Sequence, residues 1–255
     1  KINRGNNTSE SIDALKGEHF IRNYQLSKEM YIKTMEYFDP SLDPLINFWG
    51  FGYDKKAFAQ KDSTLIPELM EYVGFDRWQD SLIQDSVLEI QKPQKASLDF
   101  SAIAKGDGVD LIGDFIESYG IENYFVDIGG EVTASGTKLK GEPWVIGINT
   151  PLEGAPMDDV KLYLTLMNES AATSGNYRNF YEEDGVKYSH TINPFTGFPE
   201  RSALLSATIL HKDCSRADAI ATGCMVMGLT ASIEFIKTLN DIEAYLIFRA
   251  DDGTL

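Results

Sequence analysis

The sequence predicts an α+β fold in a single domain, with mixed or antiparallel sheets and packed helices. Three observations lead there. Short apolar segments succeed one another as strands, helical-period segments punctuate them without a regular βαβ rhythm, and no repeat, low-complexity tract or Ser- or Pro-rich linker divides residues 1–255. With 43% hydrophobic and 24% charged residues, the chain can bury a core without disulfide staples.

The first helical spacing covers 26–38, "LSKEMYIKTMEYF", and ends before Asp39-Pro40. The next segment, "DPSLDPLINFWGFGYDKK", is dense in Pro, Gly and aromatics and reads as a long loop with a short apolar centre. "TLIPELMEYVGF" reads as a helix stopping at Gly74, and "SVLEIQKP" and "ASLDF" as two strands. Residues 102–119 are helical in pattern, with Val109, Ile112, Phe115 and Ile116 on one face. "NYFVDIGG" is a short buried strand closing on paired glycines, followed by "EVTASGT", "WVIGIN" and "VKLYLTLMN". In the last, Val160, Leu162, Leu164 and Leu166 alternate as a half-buried strand does. "SALLSATIL" is a strand, "SRADAIATGCMVMGL" and "TASIEFIKTLN" are two helices, and "EAYLIFR" is the closing strand.

Charge restricts the partners. With 23 basic and 39 acidic residues the formal net charge is −16, which repels a phosphate backbone and argues against nucleic acid. A phosphorylated ligand must therefore be met locally, by a few aimed cations, backbone N–H groups or a divalent metal. No apolar run approaches the roughly 18 residues of a membrane span, and no signal-peptide pattern opens the chain. The opening "KINRGNNTSES" lacks an initiator Met and reads as a processed or truncated form. Cys214 and Cys224, ten apart, read as two buried thiols rather than a bridge.

Several stretches combine residues that carry chemistry. "LDFSAIAKGDGVD", 98–110, has Gly106 and Gly108, but Leu111 stands where a dinucleotide fingerprint needs its third glycine. A phosphate loop of the Walker type also fails, because Lys105 precedes the glycines. What remains is a helix start with free N–H groups beside Lys105, or a solvated lysine. In "SRADAIAT", Asp218 and Thr222 stack four apart on one helical face, a hard-oxygen pair suited to Mg²⁺, or else an ordinary dipole and back-bonding pair. "YSHTINPFTGFP" places His190 before an Asn-Pro and a Thr-Gly turn, as a proton shuttle, phosphate donor or structural histidine. In "AATSGN", Thr173, Ser174 and Gly175 offer hydroxyls and N–H groups to a phosphate, or form a simple turn. Phe38, Phe48, Trp49, Phe51 and Tyr53 either sandwich a planar ring or make a satellite core.

The order of these segments is more specific than any one of them. "YFDPSLDPLINFWGFG", "LDFSAIAKGDGVD", "FVDIGGEV", "AATSGNYRNF", "HTINPFTGFP" and "ADAIATGCMVMG" together resemble the ApbE family of flavin transferases, from about residue 36 to 228. The resemblance implies an ApbE-like, T-fold-related core and an enzyme that binds FAD and Mg²⁺. Its implied reaction transfers FMN to a Thr or Ser hydroxyl of a target flavoprotein of the redox-pump type, releasing AMP. The alternatives are hydrolysis of FAD to FMN and AMP, or non-catalytic flavin binding in the envelope. By position, Tyr37, Phe38, Asp39, Asp99 and Lys105 would contact FAD. The metal would sit on the main-chain oxygen of Ala102 and the side chains of Asp218 and Thr222, and His190 matches the loop histidine needed for activity. A location at the cell envelope is implied, on the periplasmic face, with membrane association only through a lipid anchor outside this chain. Departures are Asn193 and Asn176 where Asp is common, Asp127 for Asn, and Glu131 for the Asp after the glycine pair. The family's first strand and its Ser-Thr-Tyr segment would precede Lys1.

Overall fold

In the computed structural model, which describes residues 3, 8–13, 16–52, 62–83, 87–156, 158–177, 180–183 and 185–255, the chain forms two units. One is Lys1–Phe100 with Ile192–Pro199; the other is Ser101–Thr191 with Glu200–Leu255. Both are α+β with antiparallel strand pairing, the predicted fold class.

The first unit is organised by helix α1, Glu18–Lys33. It starts eight residues before the predicted helix because Phe20 and Tyr24 extend the inward-facing stripe that continues at the buried Ser27 and at Tyr31. It ends at Lys33 rather than at residue 38: Met35 and Glu36 turn to φ 54° and 70°, and the Glu36 N–H donates to the Tyr31 carbonyl at 2.8 Å. The Thr34 hydroxyl locks this exit by accepting the Phe38 N–H at 3.0 Å. The segment read as a long loop is partly helical, a 3-10 turn Pro40–Leu42 followed by α2, Asp43–Phe48. The cause is local, since Asp39 caps the turn and Pro40 and Pro44 sit where a first helical turn needs no N–H. α3 is short, Ile66–Met70, after a 3-10 turn Ser63–Leu65.

Strands β1, Ser9–Asp13, β2, Gln79–Ile83, and β3, Val87–Gln91, form a sheet in the order β1-β3-β2. Only β3 was legible; "ASLDF" forms no strand. Tyr24, Tyr31, Phe75, Trp78, Leu88, Ile90 and Leu98 build the core of this unit. Residues 192–199 close on themselves through an Ile192–Pro199 bridge and the Gly197 N–H to Asn193 carbonyl bond of 2.8 Å. Gly197 sits at φ 75°, where a Cβ would meet Ile66 Cγ2 at 2.6 Å, so a glycine is required.

The second unit contains β4, Tyr124–Ile128, β5, Glu131–Ser135, β6, Trp144–Asn149, β7, Val160–Leu166, and β8, Glu169–Gly175. Four more follow: β9, Phe180–Glu183, β10, Val186–Ser189, β11, Leu204–His211, and β12, Glu243–Phe248. A five-stranded sheet has the order β12-β11-β8-β5-β4, and β6-β7 and β10-β9 are two-stranded. Helices α4, Ala104–Ser118, and α5, Cys214–Ile236, belong to the same unit, with α5 packed on β8 and β11. The buried face of α4 differs from the predicted one. Val109 is buried, but Ile112 and Phe115 are exposed, and Gly106 and Gly113 occupy the inner positions instead. Close approach to α5 decides this: a Cβ on Gly106 would lie 2.6 Å from the Cys214 carbonyl oxygen.

α5 breaks at Gly228, φ 74° and ψ 176°, where the sequence divides it into two helices. By length and composition it is apolar enough to cross a membrane, contrary to the sequence expectation, but it is a largely buried helix with Asp218 inside it. Cys214 and Cys224 are free and buried, as predicted, with burial pushing both thiols up, Cys224 to about 11.

Candidate functional site

The glycine pair sets the geometry of the second unit's polar cluster. Gly129 and Gly130 stand at φ 67° and 103° and join β4 to β5, with Ile128 paired to Glu131. Two successive positive φ angles make this the hairpin turn that only glycine adopts without strain. Asp127 accepts the Gly130 N–H at 3.0 Å, so the aspartate standing in for Asn keeps the turn closed. The turn delivers Glu131 at the first position of β5, where its carboxylate is buried and pairs with Lys105 Nζ at 2.5 Å. Lys105 remains 46% exposed, so its ammonium is reachable from solvent while its partner is not.

Lys105 lies in the first turn of α4, and the N-termini of α4 and α5 exchange carboxylates. Asp110 of α4 accepts the Cys214 and Ser215 N–H groups at 2.7 and 3.0 Å and the Ser215 hydroxyl at 2.6 Å. Asp218 of α5 accepts the Gly106 N–H, at 3.3 Å. Both answer donors that a helix start leaves unpaired. Asp218 is buried, and its carboxyl is pushed up to about 7 by desolvation and then by the Glu131 charge, with Lys105 and the Gly106 N–H acting the other way. Asp110 is also raised by burial, but its three donors oppose the rise.

One turn along α5, Thr222 shares a hydrogen bond of 3.1 Å with Ser174 of β8. The stretch read as a turn is thus strand. Its alternation separates the two hydroxyls proposed as a pair, since neighbouring strand residues face opposite ways: Ser174 meets Thr222, whereas Thr173 pairs at 2.8 Å with Thr208 of β11. His190 follows β10 and is half-buried in the same unit. Ala102 lies in the turn leading into α4.

Among the described residues, no three His, Cys, Asp or Glu side chains converge into a metal cage. A cation here would rely on hard oxygens, a carboxylate, a hydroxyl and a carbonyl, supplemented by ligand phosphates. That set suits Mg²⁺. The buried Asp218 carboxylate, with a single long hydrogen bond, is one oxygen donor in the cluster with little compensation.

The remaining predicted residues belong to the first unit. Asp39 accepts the Ser41 N–H at 2.7 Å and hydroxyl at 2.6 Å; burial pushes its carboxyl up to about 6. The Asp99 N–H donates to the Pro40 carbonyl at 2.8 Å, tying the Asp-Phe segment to the Asp-Pro turn. Phe38 and Trp49 are buried, Trp49 donating to the Gly197 carbonyl at 2.8 Å, so these aromatics form core. Tyr53 lies outside the described residues. Half-buried Tyr37 and exposed Phe195 form an aromatic pair in this unit, edge to face with centroids 5.0 Å apart. Phe195 was passed over although it stands in a recognised loop, and its place between two turns was the available signal. Glu131 was noted only as a substitution; a lone acid after Gly-Gly, opening an apolar strand, was its signal. Asp110 gave none, because its partners are more than a hundred residues away.

Comparison with known proteins adds independent evidence. The model of the ApbE family matches residues 1–246. The FAD:protein FMN transferase of Vibrio cholerae is 37% identical over 215 residues, covering 84% of this chain and 62% of that protein. That of Haemophilus influenzae is 36% identical over 216 residues, with the same two shares. The chain thus spans less than two thirds of the length of these relatives. Among solved structures, flavin transferase ApbE from Vibrio cholerae superimposes with a TM-score of 0.84 at 31% identity, over 98% of this chain and 77% of that one. The apo form of Pseudomonas stutzeri flavinyl transferase ApbE gives 0.81 at 29% identity, over 96% and 73%.

Proposed function

We propose, from the premise that the chain belongs to the ApbE family, that it transfers FMN from FAD to a Thr or Ser hydroxyl of a target flavoprotein and releases AMP, with Mg²⁺ as cofactor. The observation that carries this reading is the buried Asp218 carboxylate, raised to about 7 and one helical turn from Thr222, beside the accessible Lys105.

Asp218, Thr222 and the Ala102 carbonyl are the oxygens that would hold Mg²⁺. Bound there, it would offset the charge of the FAD pyrophosphate. Lys105, paired with Glu131 and half-exposed, supplies the second positive group to a phosphate oxygen. The acceptor hydroxyl oxygen attacks the FMN-side phosphorus, the bond from that phosphorus to the bridging oxygen breaks, and AMP leaves with that oxygen. The hydroxyl proton passes to a base, for which His190 is the candidate. Phosphoryl chemistry of this kind depends on positioning and charge stabilisation more than on covalent help from the protein. In the first unit, Tyr37 with Phe195 offers an aromatic surface to a planar ring, and Asp39 and Asp99 lie on the Asp-Pro and Leu-Asp-Phe segments that the family resemblance assigns to FAD. Ser174 orients Thr222, whereas Thr173 is bonded to Thr208 of β11. An envelope location through a lipid anchor outside this chain belongs to the same proposal.

The test is incubation of the protein with FAD, Mg²⁺ and a candidate flavoprotein domain, followed by mass analysis. Protein-linked FMN and AMP are expected. Free FMN and AMP would replace the reading by FAD hydrolysis, and unchanged FAD by flavin binding alone.

A further inference from the structure

Glu131 is the residue of this cluster that no part of the reaction above uses. Its side chain is 3% exposed; Oε1 pairs with Lys105 at 2.5 Å, and Oε2 is buried with no hydrogen-bond partner. An unpartnered buried carboxylate oxygen is costly, so its retention calls for a ligand. Two contacts fix where that ligand would be. The lysine that Oε1 pairs with is followed by Gly106, whose N–H the Asp218 carboxylate accepts, and Oε2 stands 3.9 Å from where a Cβ on Gly129 would lie, on the side that also meets Lys105 Cδ. Two buried carboxylates therefore flank one half-exposed ammonium.

We propose that Glu131 is a positioning residue of the cation site: Oε1 holds Lys105 in place, and Oε2 offers the cation or its bound water a second carboxylate oxygen beside Asp218. This rests on the reading that Asp218 holds the cation. It also gives a role to the longer acid found after the glycine pair. Glu131 is the first residue of β5, so its backbone is fixed by the hairpin.

The experiment is Mn²⁺ binding to the full chain without FAD, followed by electron paramagnetic resonance, for wild type and for Glu131→Gln, Glu131→Asp and Asp218→Asn. Glu131→Gln should weaken Mn²⁺ by about 10- to 100-fold, the range for residues that support a metal through its ligands. Glu131→Asp, which keeps the charge, should restore most of the affinity. Wild-type affinity in Glu131→Gln together with loss in Asp218→Asn would overturn this proposal alone. Unaltered affinity in Asp218→Asn would overturn the cation site itself. If the Gln variant does not fold, Lys105→Met decides: it frees both Glu131 oxygens, so Mn²⁺ should bind more tightly than to wild type, and equal or weaker binding overturns the proposal.

Discussion

Helices α4 and α5 each hand a carboxylate to the other's first turn, yet the two ends have different chemistry. At the α5 end, Asp110 collects three donors within 3.0 Å. At the α4 end, Asp218 receives one N–H at 3.3 Å and faces the Glu131 charge. The residue type and the helix-start environment are alike; Asp110 is half-buried and Asp218 buried, and the number of donors differs. A carboxylate that is fully hydrogen-bonded is structural. One that is not retains capacity for a cation, and its charge is costly until that cation arrives.

Removing Asp110 tests the structural end and should have the largest effect on stability. Asp110→Ala leaves the buried Cys214 and Ser215 N–H groups without their acceptor, at a cost of about 1–3 kcal/mol for each unsatisfied donor. Chemical denaturation would read this, and Mg²⁺ should not restore it. A loss below 1 kcal/mol would make the two ends equivalent.

Lys105→Met removes the charge and keeps the stem. FAD should bind roughly 10- to 100-fold more weakly, as for loss of a charge-assisted bond worth about 1.5–3 kcal/mol, measured by fluorescence titration. An unchanged dissociation constant would return Lys105 to the role of a solvated counter-ion for Glu131.

Gly106→Ala probes the contact that brings both ends together. Its Cβ would stand 2.6 Å from the Cys214 carbonyl oxygen and from Ser215 Cα, both backbone. The helices would have to separate, at about 1–3 kcal/mol, with both carboxylate caps weakened. A melting temperature equal to wild type would show that the approach is relaxed at no cost.

Asp39 is the intermediate case, with two donors from Ser41 and a carboxyl pushed up to about 6 by burial. Between pH 4 and 6 the folded form holds a proton that the unfolded form has lost, so rising pH removes stability through that window and the cost is complete above it. Asp39→Asn escapes this. Its advantage over wild type should grow from pH 4 to 6 and then stay level, by about 3 kcal/mol. Melting curves across that range check it; a gap that widens as pH falls would reverse the sign.

Much of this was legible in the sequence for physical reasons. Strict alternation marked β7, the paired glycines marked the β4–β5 turn, and Asp218 with Thr222 appeared on one face because a helix has a fixed period. What escaped was set at long range. β1 and β2 carry polar residues at most of their positions, as in "SESID", and are defined by pairing with β3. The inner face of α4 was misread because glycines, not the large apolar residues, permit contact with α5. Asp110 and Glu131 gained their roles from partners far along the chain.

The central claim, that Asp218 is kept short of donors so as to hold a divalent cation, is tested most directly by thermal melting at pH 8 with and without Mg²⁺, comparing wild type with Asp218→Asn. The ligand-free wild type carries the cost of a buried charge, so the variant should melt at or above it. Mg²⁺ at 100 times its dissociation constant stabilises by about 2.7 kcal/mol, so it should raise the wild type by several degrees and leave the variant unmoved. An equal Mg²⁺ shift in both proteins would contradict the claim.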